Sequence, residues 1–347
     1  MTQLNSVLLF ICLLFFFAAC KNNTAPADIA FYHWKANINI GTEEMKYLDD
    51  LAVKKLYLRF FDVHLDQESK TAIPISQLQW KYFDLGRNLE IVPVIYITNI
   101  TLEKNEYDVG TDSLAKNIAE KLRAMILKMD RVRFTVKEIQ IDCDWSLETQ
   151  AKYFRLLEQL RRYMPEIKTL SATIRLHQIK YFTTTGVPPV DRGVLMFYNM
   201  GAVIKPTEKN SILNLQTAKE YLENFDIYPL SLDVALPLFS WAVQFREDKI
   251  IQLINDISEA DLIKNENFQS LGANKFKVLN SSYLKGIYIY KNDIIRLESV
   301  KSEDLTESIN ILKKAFGKKR FNLIFYHLDD YVVKCFNTET LKKLANY

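Results

Sequence analysis

Cysteine is scarce in this 347-residue chain: of four, Cys12 and Cys20 fall in the N-terminal apolar run, leaving only Cys143 and Cys335 for the folded part. Two residues exclude a disulfide framework. Cys143 takes an apolar-facing slot in its strand, so both are read as free thiols. Glycine is scarce too, with nine residues and no GxGxxG, which removes the Gly-rich first turn of a dinucleotide-binding sheet. No pair among the four histidines has metal-ligand spacing, and neither metal nor cofactor is implied. Charge of one sign is not in excess: 45 basic and 42 acidic side chains intersperse to a net +3, so no nucleic-acid partner is expected. Low-complexity tracts and short repeats are missing. Beyond residue 20, no run is long and apolar enough to span a bilayer.

Among what is present, an apolar content of 48% is ample for a sizeable core in one large domain or two ordinary ones. The N-terminal run "SVLLFICLLFFFAAC" is too short for an ordinary membrane helix and ends in Ala18-Ala19-Cys20. We read residues 1–19 as a lipoprotein-type signal peptide, Cys20 as the lipidation site in a "FAAC" that resembles a bacterial lipobox, and 20–28 as a polar tether. Two features depart from the pattern: no Lys or Arg precedes the run, and Phe17 stands where Leu is commoner. An uncleaved anchor helix is the alternative. Either reading places the rest of the chain in the cell envelope, lipid-anchored at the outer membrane or the periplasmic face in the first case.

Strand-like runs recur at 29–34, 55–63, 90–98, 138–145, 169–176, 193–200, 228–237 and 321–328. Between several of them lie helical patterns, "TEEMKYLDDLAV", "DSLAKNIAEKLRAMILKM", "SLETQAKYFRLLEQLRRYM" and "SEDLTESINILKKAF", opening with the capping types Thr42, Asp112, Ser146 and Ser302. Eight strands with intervening helices predict an α/β fold, a (β/α)8 TIM-type barrel over 29–347. An open doubly wound sheet would want the missing glycines. The long spacing between the seventh and eighth strands predicts an insertion at about 246–300, a β-hairpin turning at Lys291-Asn292-Asp293 with helices, packed beside the barrel.

In such a barrel the chemistry sits at the C-terminal strand ends. The fourth run, "EIQIDCDW", has clean parity: Ile139, Ile141 and Cys143 share one face, Gln140, Asp142 and Asp144 the other. The apolar face suits the helix layer, which aims both aspartates into the barrel mouth. Paired buried carboxylates are costly unless hydrogen-bonded, paired with a cation or used. They divide into acid and base when like charges push one pKa up; alternatively they are salt-bridged, with Arg59 and Arg175 at hand. Other strand ends carry Tyr32-His33-Trp34, Asp62 and His64, His177, Tyr198-Asn199, and Tyr326-His327 with Asp329-Asp330. Trp34, Trp145 and Trp241 each follow a strand-like run, and indoles at a cleft suit the apolar faces of sugar rings.

"QIDCDW" together with "LMFYNMG" resembles the family 18 glycoside hydrolases, in which the fourth strand carries Asp-x-Asp-x-Glu and the sixth Met-x-Tyr-Asp or Met-x-Tyr-Asn. The chain also looks like a group of bacterial barrel domains of unknown function that share an Ile-Asp-x-Asp strand followed by a Tyr-rich helix. By resemblance, Asp142 and Asp144 match the two aspartates, and Met196, Tyr198 and Asn199 the sixth-strand motif. The position of the family's catalytic acid is Ser146, whose hydroxyl cannot protonate a leaving glycosidic oxygen at neutral pH. The expected catalytic residues are therefore Asp142, Asp144 and, two residues past the acid position, Glu148. The expected substrate-binding residues are His33, Trp34, Arg59, Trp145, Arg175, Tyr198, Asn199, Asp233 and His327. The function implied is that of a carbohydrate-active envelope lipoprotein acting on or recognising a glycan, with hydrolysis left open. The alternative is a non-catalytic glycan-binding or structural envelope lipoprotein.

Overall fold

The computed structural model describes residues 26–80, 89–104, 109–129 and 134–347; the expected signal peptide and Cys20 lie outside the described residues. Eight strands form the barrel: β1 (Ile29–His33), β2 (Lys55–Leu65), β3 (Leu89–Ile97), β4 (Glu138–Asp142), β5 (Thr169–Ile174), β6 (Arg192–Met196), β7 (Leu232–Pro237) and β8 (Leu323–Tyr326). Each pairs in parallel with the next, and β8 pairs back onto β1, so the ladder is closed. All eight overlap the strand-like runs of the sequence; β4 and β6 end three and four residues before their runs do, and β7 starts four residues after its run begins.

Helices α1 (Thr42–Asp50), α2 (Val109–Lys128), α3 (Gln150–Tyr163) and α4 (Ser302–Phe316) lie between strands, and α5 (Thr338–Ala345) follows β8. Their starts differ from the capping residues read in sequence. At α1 and α4 the N-caps are Gly41 and Lys301, whose N–H groups donate to the Glu44 and Asp304 carboxylates at 3.0 Å. The acid in the first turn does the capping, one residue earlier than the hydroxyl suggested. α2 begins ahead of Asp112, and α3 begins at Gln150 because Ser146 and Thr149 close a separate turn first.

Period-two alternation sorts each barrel strand into two environments. Outward residues such as Leu56, Ile91, Ile139, Ile141 and Leu195 join α2, α3 and α4 in the main apolar core, and Cys143 is buried there as a free thiol. Inward residues fill the barrel in layers: Tyr32, Tyr57, Val92, Val94, Val194 and Ile324 pack together, and the Tyr32 hydroxyl donates to Gln140 at 2.6 Å. Charges sit at the N-terminal end, where Lys55 lies 2.8 Å from Glu138 and 3.1 Å from Glu90, and Arg192 pairs with Asp233.

The insertion after β7 contains more strand than a hairpin. Trp241–Arg246, Lys249–Asn255, Phe268–Gly272, Lys275–Val278 and Ile294–Glu298 form an antiparallel five-stranded sheet with its own apolar core. The runs flanking Lys291-Asn292-Asp293 do not pair with each other. Ile287–Ile289 turns back onto Ser282–Leu284 through Lys285 and Gly286, at φ 49° and 80°, the left-handed pair that a tight hairpin uses. Asp293 is instead buried, accepting from Gln244 at 2.6 Å and Arg246 at 2.7 Å.

A fully buried ion pair ties the insertion to the β6–β7 loop. Arg296 donates to Glu298 at 2.7 Å and to the carbonyl of Val203 at 2.9 Å, while Glu298 accepts from Ser211 N–H and Trp241 Nε1 at 2.9 and 2.8 Å. Removing one partner strands a charge without water. Arg296→Met is expected to cost about 3–5 kcal/mol, read as a lowered urea midpoint. Arg296→Met with Glu298→Gln should recover part of that loss; a single variant as stable as wild type would contradict this role.

Candidate functional site

The C-terminal strand ends enclose a cavity of about 540 Å³ that is open to solvent. Asp142 lies at its floor, 4% exposed, and accepts from the Thr173 hydroxyl of β5 at 2.6 Å. Burial pushes its carboxyl pKa up, against the Arg175 guanidinium 3.9 Å away and the Thr173 hydrogen bond. Asp144, one turn of the pleat further out, faces solvent and pairs with Arg175 Nε. For Arg175 burial works to release the proton, and the two aspartates outweigh it. One guanidinium thus spans the acid pair, as the salt-bridged reading requires, without closing the cavity. Arg59 also lines the wall but pairs with Asp62, with Nε donating at 2.7 Å.

The opposite wall is aromatic. Tyr326 of β8 has ring centroids 5.8 Å from Trp34, 5.2 Å from Tyr198 and 5.6 Å from Phe239, and Phe239 is 5.3 Å from Trp241. The Arg59 guanidinium lies 5.4 Å over the Trp34 ring. Asn199, whose backbone takes φ 55°, lines the same cavity and donates its N–H to the Ile212 carbonyl at 2.7 Å. A second cavity of about 520 Å³ shares Asp144, Arg175, Met196, Tyr198 and Asn199 with the first and extends past Trp145, Ser146 and Tyr221. Together they make a groove across the barrel mouth with the Asp144–Arg175 pair at its middle.

Of the residues expected at the site, Asp142, Asp144, Trp34, Arg59, Arg175, Tyr198, Asn199 and His327 converge on the first cavity. Three others fall elsewhere, and Trp145 borders the second cavity of the groove. Asp233 is the second residue of β7, not its end; it pairs with Arg192 at the start of β6 and accepts from Asn322 N–H at 2.9 Å, at the opposite end of the barrel from the groove. Glu148 is exposed on the turn before α3, borders neither cavity of the groove, and a hydrogen bond from Ser146 draws its pKa down. His33 points away from the barrel axis, and burial pushes it down to about 4, with His327 adding to the effect. Trp145 is buried, stacked 5.0 Å from Tyr153 with Nε1 donating to the Thr185 carbonyl at 3.2 Å, and presents only an edge to the second cavity.

Ser146 has the bland role its residue type favours in a turn. Its N–H donates to Thr149 Oγ1 at 3.0 Å and its carbonyl accepts from Gln150 N–H at 2.9 Å. Sequence reading missed Tyr96, Thr173, Phe239 and Asp256. Parity on the third and fifth strands carries the first two; Asp256 comes from the insertion, where position along a barrel strand gives no signal.

No family model matches the sequence, and no curated protein matches it. Solved structures do. The Bacillus cereus spore cortex-lytic enzyme SleL aligns with a TM-score of 0.53 at 15% identity, covering 92% of this chain and 73% of that one. A family 18 N-acetylglucosaminidase from Paenibacillus barengoltzii aligns at 0.51 and 11%, covering 92% and 99%. The Ostrinia furnacalis Group IV chitinase aligns at 0.53 and 9%, with the same coverages of 92% and 99%. The chain has the family 18 glycoside hydrolase-like barrel fold. At these identities the likeness is one of fold, and the family 18-like motif positions Asp142, Asp144, Met196, Tyr198 and Asn199 lie together on the groove wall.

The raised pKa of Asp142 gives a signed pH dependence. Its stabilising contribution is present below the unfolded carboxylate value of about 3.9 and is lost as pH rises through the folded value. Asp142→Asn keeps an acceptor for Thr173 and has no such loss. The variant should therefore gain stability relative to wild type between about pH 4 and pH 7, measured as urea midpoints at both; a difference independent of pH would contradict the assignment.

Proposed function

We propose that this protein is a lipid-anchored glycan-recognition protein of the cell envelope, which uses the mouth of a glycoside hydrolase-like barrel to hold an N-acetylated sugar chain without cleaving it. The observation that carries the reading is the occupant of the acid position. Ser146 is committed to a turn with Thr149, Glu148 points to solvent, and Asp144 is paired with Arg175. A glycosidase of either stereochemistry needs a carboxylic acid aimed at the leaving oxygen, and among the described residues none stands at the position the family 18 pattern gives it. What is assembled is a binding surface: an aromatic wall of Trp34, Tyr198, Phe239, Trp241 and Tyr326 facing the Asp142, Asp144 and Arg175 polar floor. The choice of sugar rests on the fold neighbours named for chitin and N-acetylglucosamine. Placement in the envelope rests on the "FAAC" segment and Cys20.

One observation favours a second reading, residual hydrolysis. Burial pushes Asp142, at the groove floor, towards its protonated form, the state a proton donor needs. Its hydrogen bond from Thr173 and the guanidinium beside it work the other way.

Calorimetry of the full-length chain in detergent against β-1,4-linked N-acetylglucosamine oligomers and peptidoglycan fragments should show saturable binding, with no new reducing ends released. Trp34→Ala and Trp241→Ala should each weaken binding about 5- to 20-fold, the loss of roughly 1–2 kcal/mol of ring contact. Product release abolished by Asp142→Asn would transfer the case to hydrolysis. Failure to bind any glycan on the panel would sink both readings.

A further inference from the structure

We infer that the rim of the groove holds a site for one divalent transition-metal ion, ligated by Asp256, His327 and Asp329. These three residues come from distant parts of the chain: Asp256 directly follows the insertion strand Lys249–Asn255, and the other two follow β8. One ligand atom from each lies within 4.8 Å of the others, with His327 Nε2 2.7 Å from Asp329 Oδ2. Two carboxylate oxygens and an imidazole nitrogen are the donor set of the Zn²⁺ and Mn²⁺ class. Bonds of about 2.2 Å place opposite ligands of such an ion about 4.4 Å apart, so a small inward shift of the loop carrying Asp256 completes the set.

A second observation points the same way. His33 is 4% exposed, its Nδ1 has no hydrogen-bond partner, and it lines a small cavity together with Asp329 and Lys35. The Nδ1 of His327 is likewise buried without a partner. Two imidazoles, each with a ring nitrogen that the protein does not satisfy, beside two carboxylates leave a polar cluster without its full set of partners. The Asp329 carboxylate is already oriented as a ligand, because its other oxygen accepts from Val332 N–H at 3.0 Å and this fixes its plane.

The present occupant of the cation position is Lys35, whose ammonium lies 3.2 Å from the same Asp329 oxygen. Its side chain is 51% exposed and leaves for solvent readily, unlike the carboxylates. Metal and ammonium therefore compete, a consequence that a purely structural charge network does not have. Because Asp256 and His327 also line the groove, the open positions of the ion would face the bound ligand. The site is independent of which glycan, if any, the groove holds.

The full-length chain, stripped with EDTA and titrated calorimetrically with ZnCl2 or MnCl2, should show one saturable site. Asp256→Asn and His327→Gln should each weaken it at least tenfold, and Lys35→Ala should tighten it several-fold. Added metal should raise the melting temperature of wild type and leave the Asp256→Asn/His327→Gln double variant unmoved. Absence of a saturable site, survival of binding in the double variant, or a Lys35→Ala protein that binds no tighter than wild type would overturn the proposal. If the ligand variants fail to fold, the half-exposed Lys35→Ala substitution still decides.

Discussion

Closing a parallel ladder into a barrel sends alternate side chains of every strand into a space with little water, and any charge among them must find a partner there. That constraint organises the molecule from end to end. At the N-terminal end it pairs Lys55 with Glu138 and Glu90, and Arg192 with Asp233. In the middle the tyrosines and valines of β1, β2, β3 and β6 fill the interior, with Tyr32 and Gln140 satisfying each other. At the open end Arg59 takes Asp62, and Arg175 takes both Asp144 and Asp142. The same electrostatic demand acts at both ends, and at the C-terminal end it lays a polar floor under the groove.

The floor is where fold and chemistry part company. A family 18-like barrel supplies the strand ends, and at the position where the family 18 pattern has its acid Ser146 closes a turn. Arg175 pairs with Asp144. A guanidinium fixed between two carboxylates stabilises their charge and turns the pair into a rigid hydrogen-bonding surface. With the aromatic wall opposite, the groove offers ring faces on one side and hydrogen-bonding groups on the other.

The insertion does more than decorate the barrel. Through Arg296 and Glu298 it holds the β6–β7 loop that shapes the Asn199 side of the groove, and through Trp241 and Asp256 it supplies part of the opposite rim. None of this follows from strand periodicity. The alternating runs near 282–298 mark strands, but which strands they join depends on where Asp293 is buried and on the left-handed turn at Lys285-Gly286. Likewise Asp233 looks like a strand-end acid only while β7 is taken to begin near Tyr228; pairing starts it at Leu232 and puts the residue at the other end of the barrel.

The sequence by itself determined the eight barrel strands, the side of β4 on which Asp142 and Asp144 stand, the outward burial of Cys143, and the serine where the family 18 pattern has an acid. These are local facts, set by period-two alternation and residue chemistry. The tertiary structure alone decided which charges meet: that one arginine spans both aspartates, that Glu148 faces water, and that Asp256 joins His327 and Asp329 at the rim although it lies far from both along the chain. Such encounters depend on ring closure and on the docking of an insertion, which bring together residues far apart in sequence, and local periodicity carries no information about them.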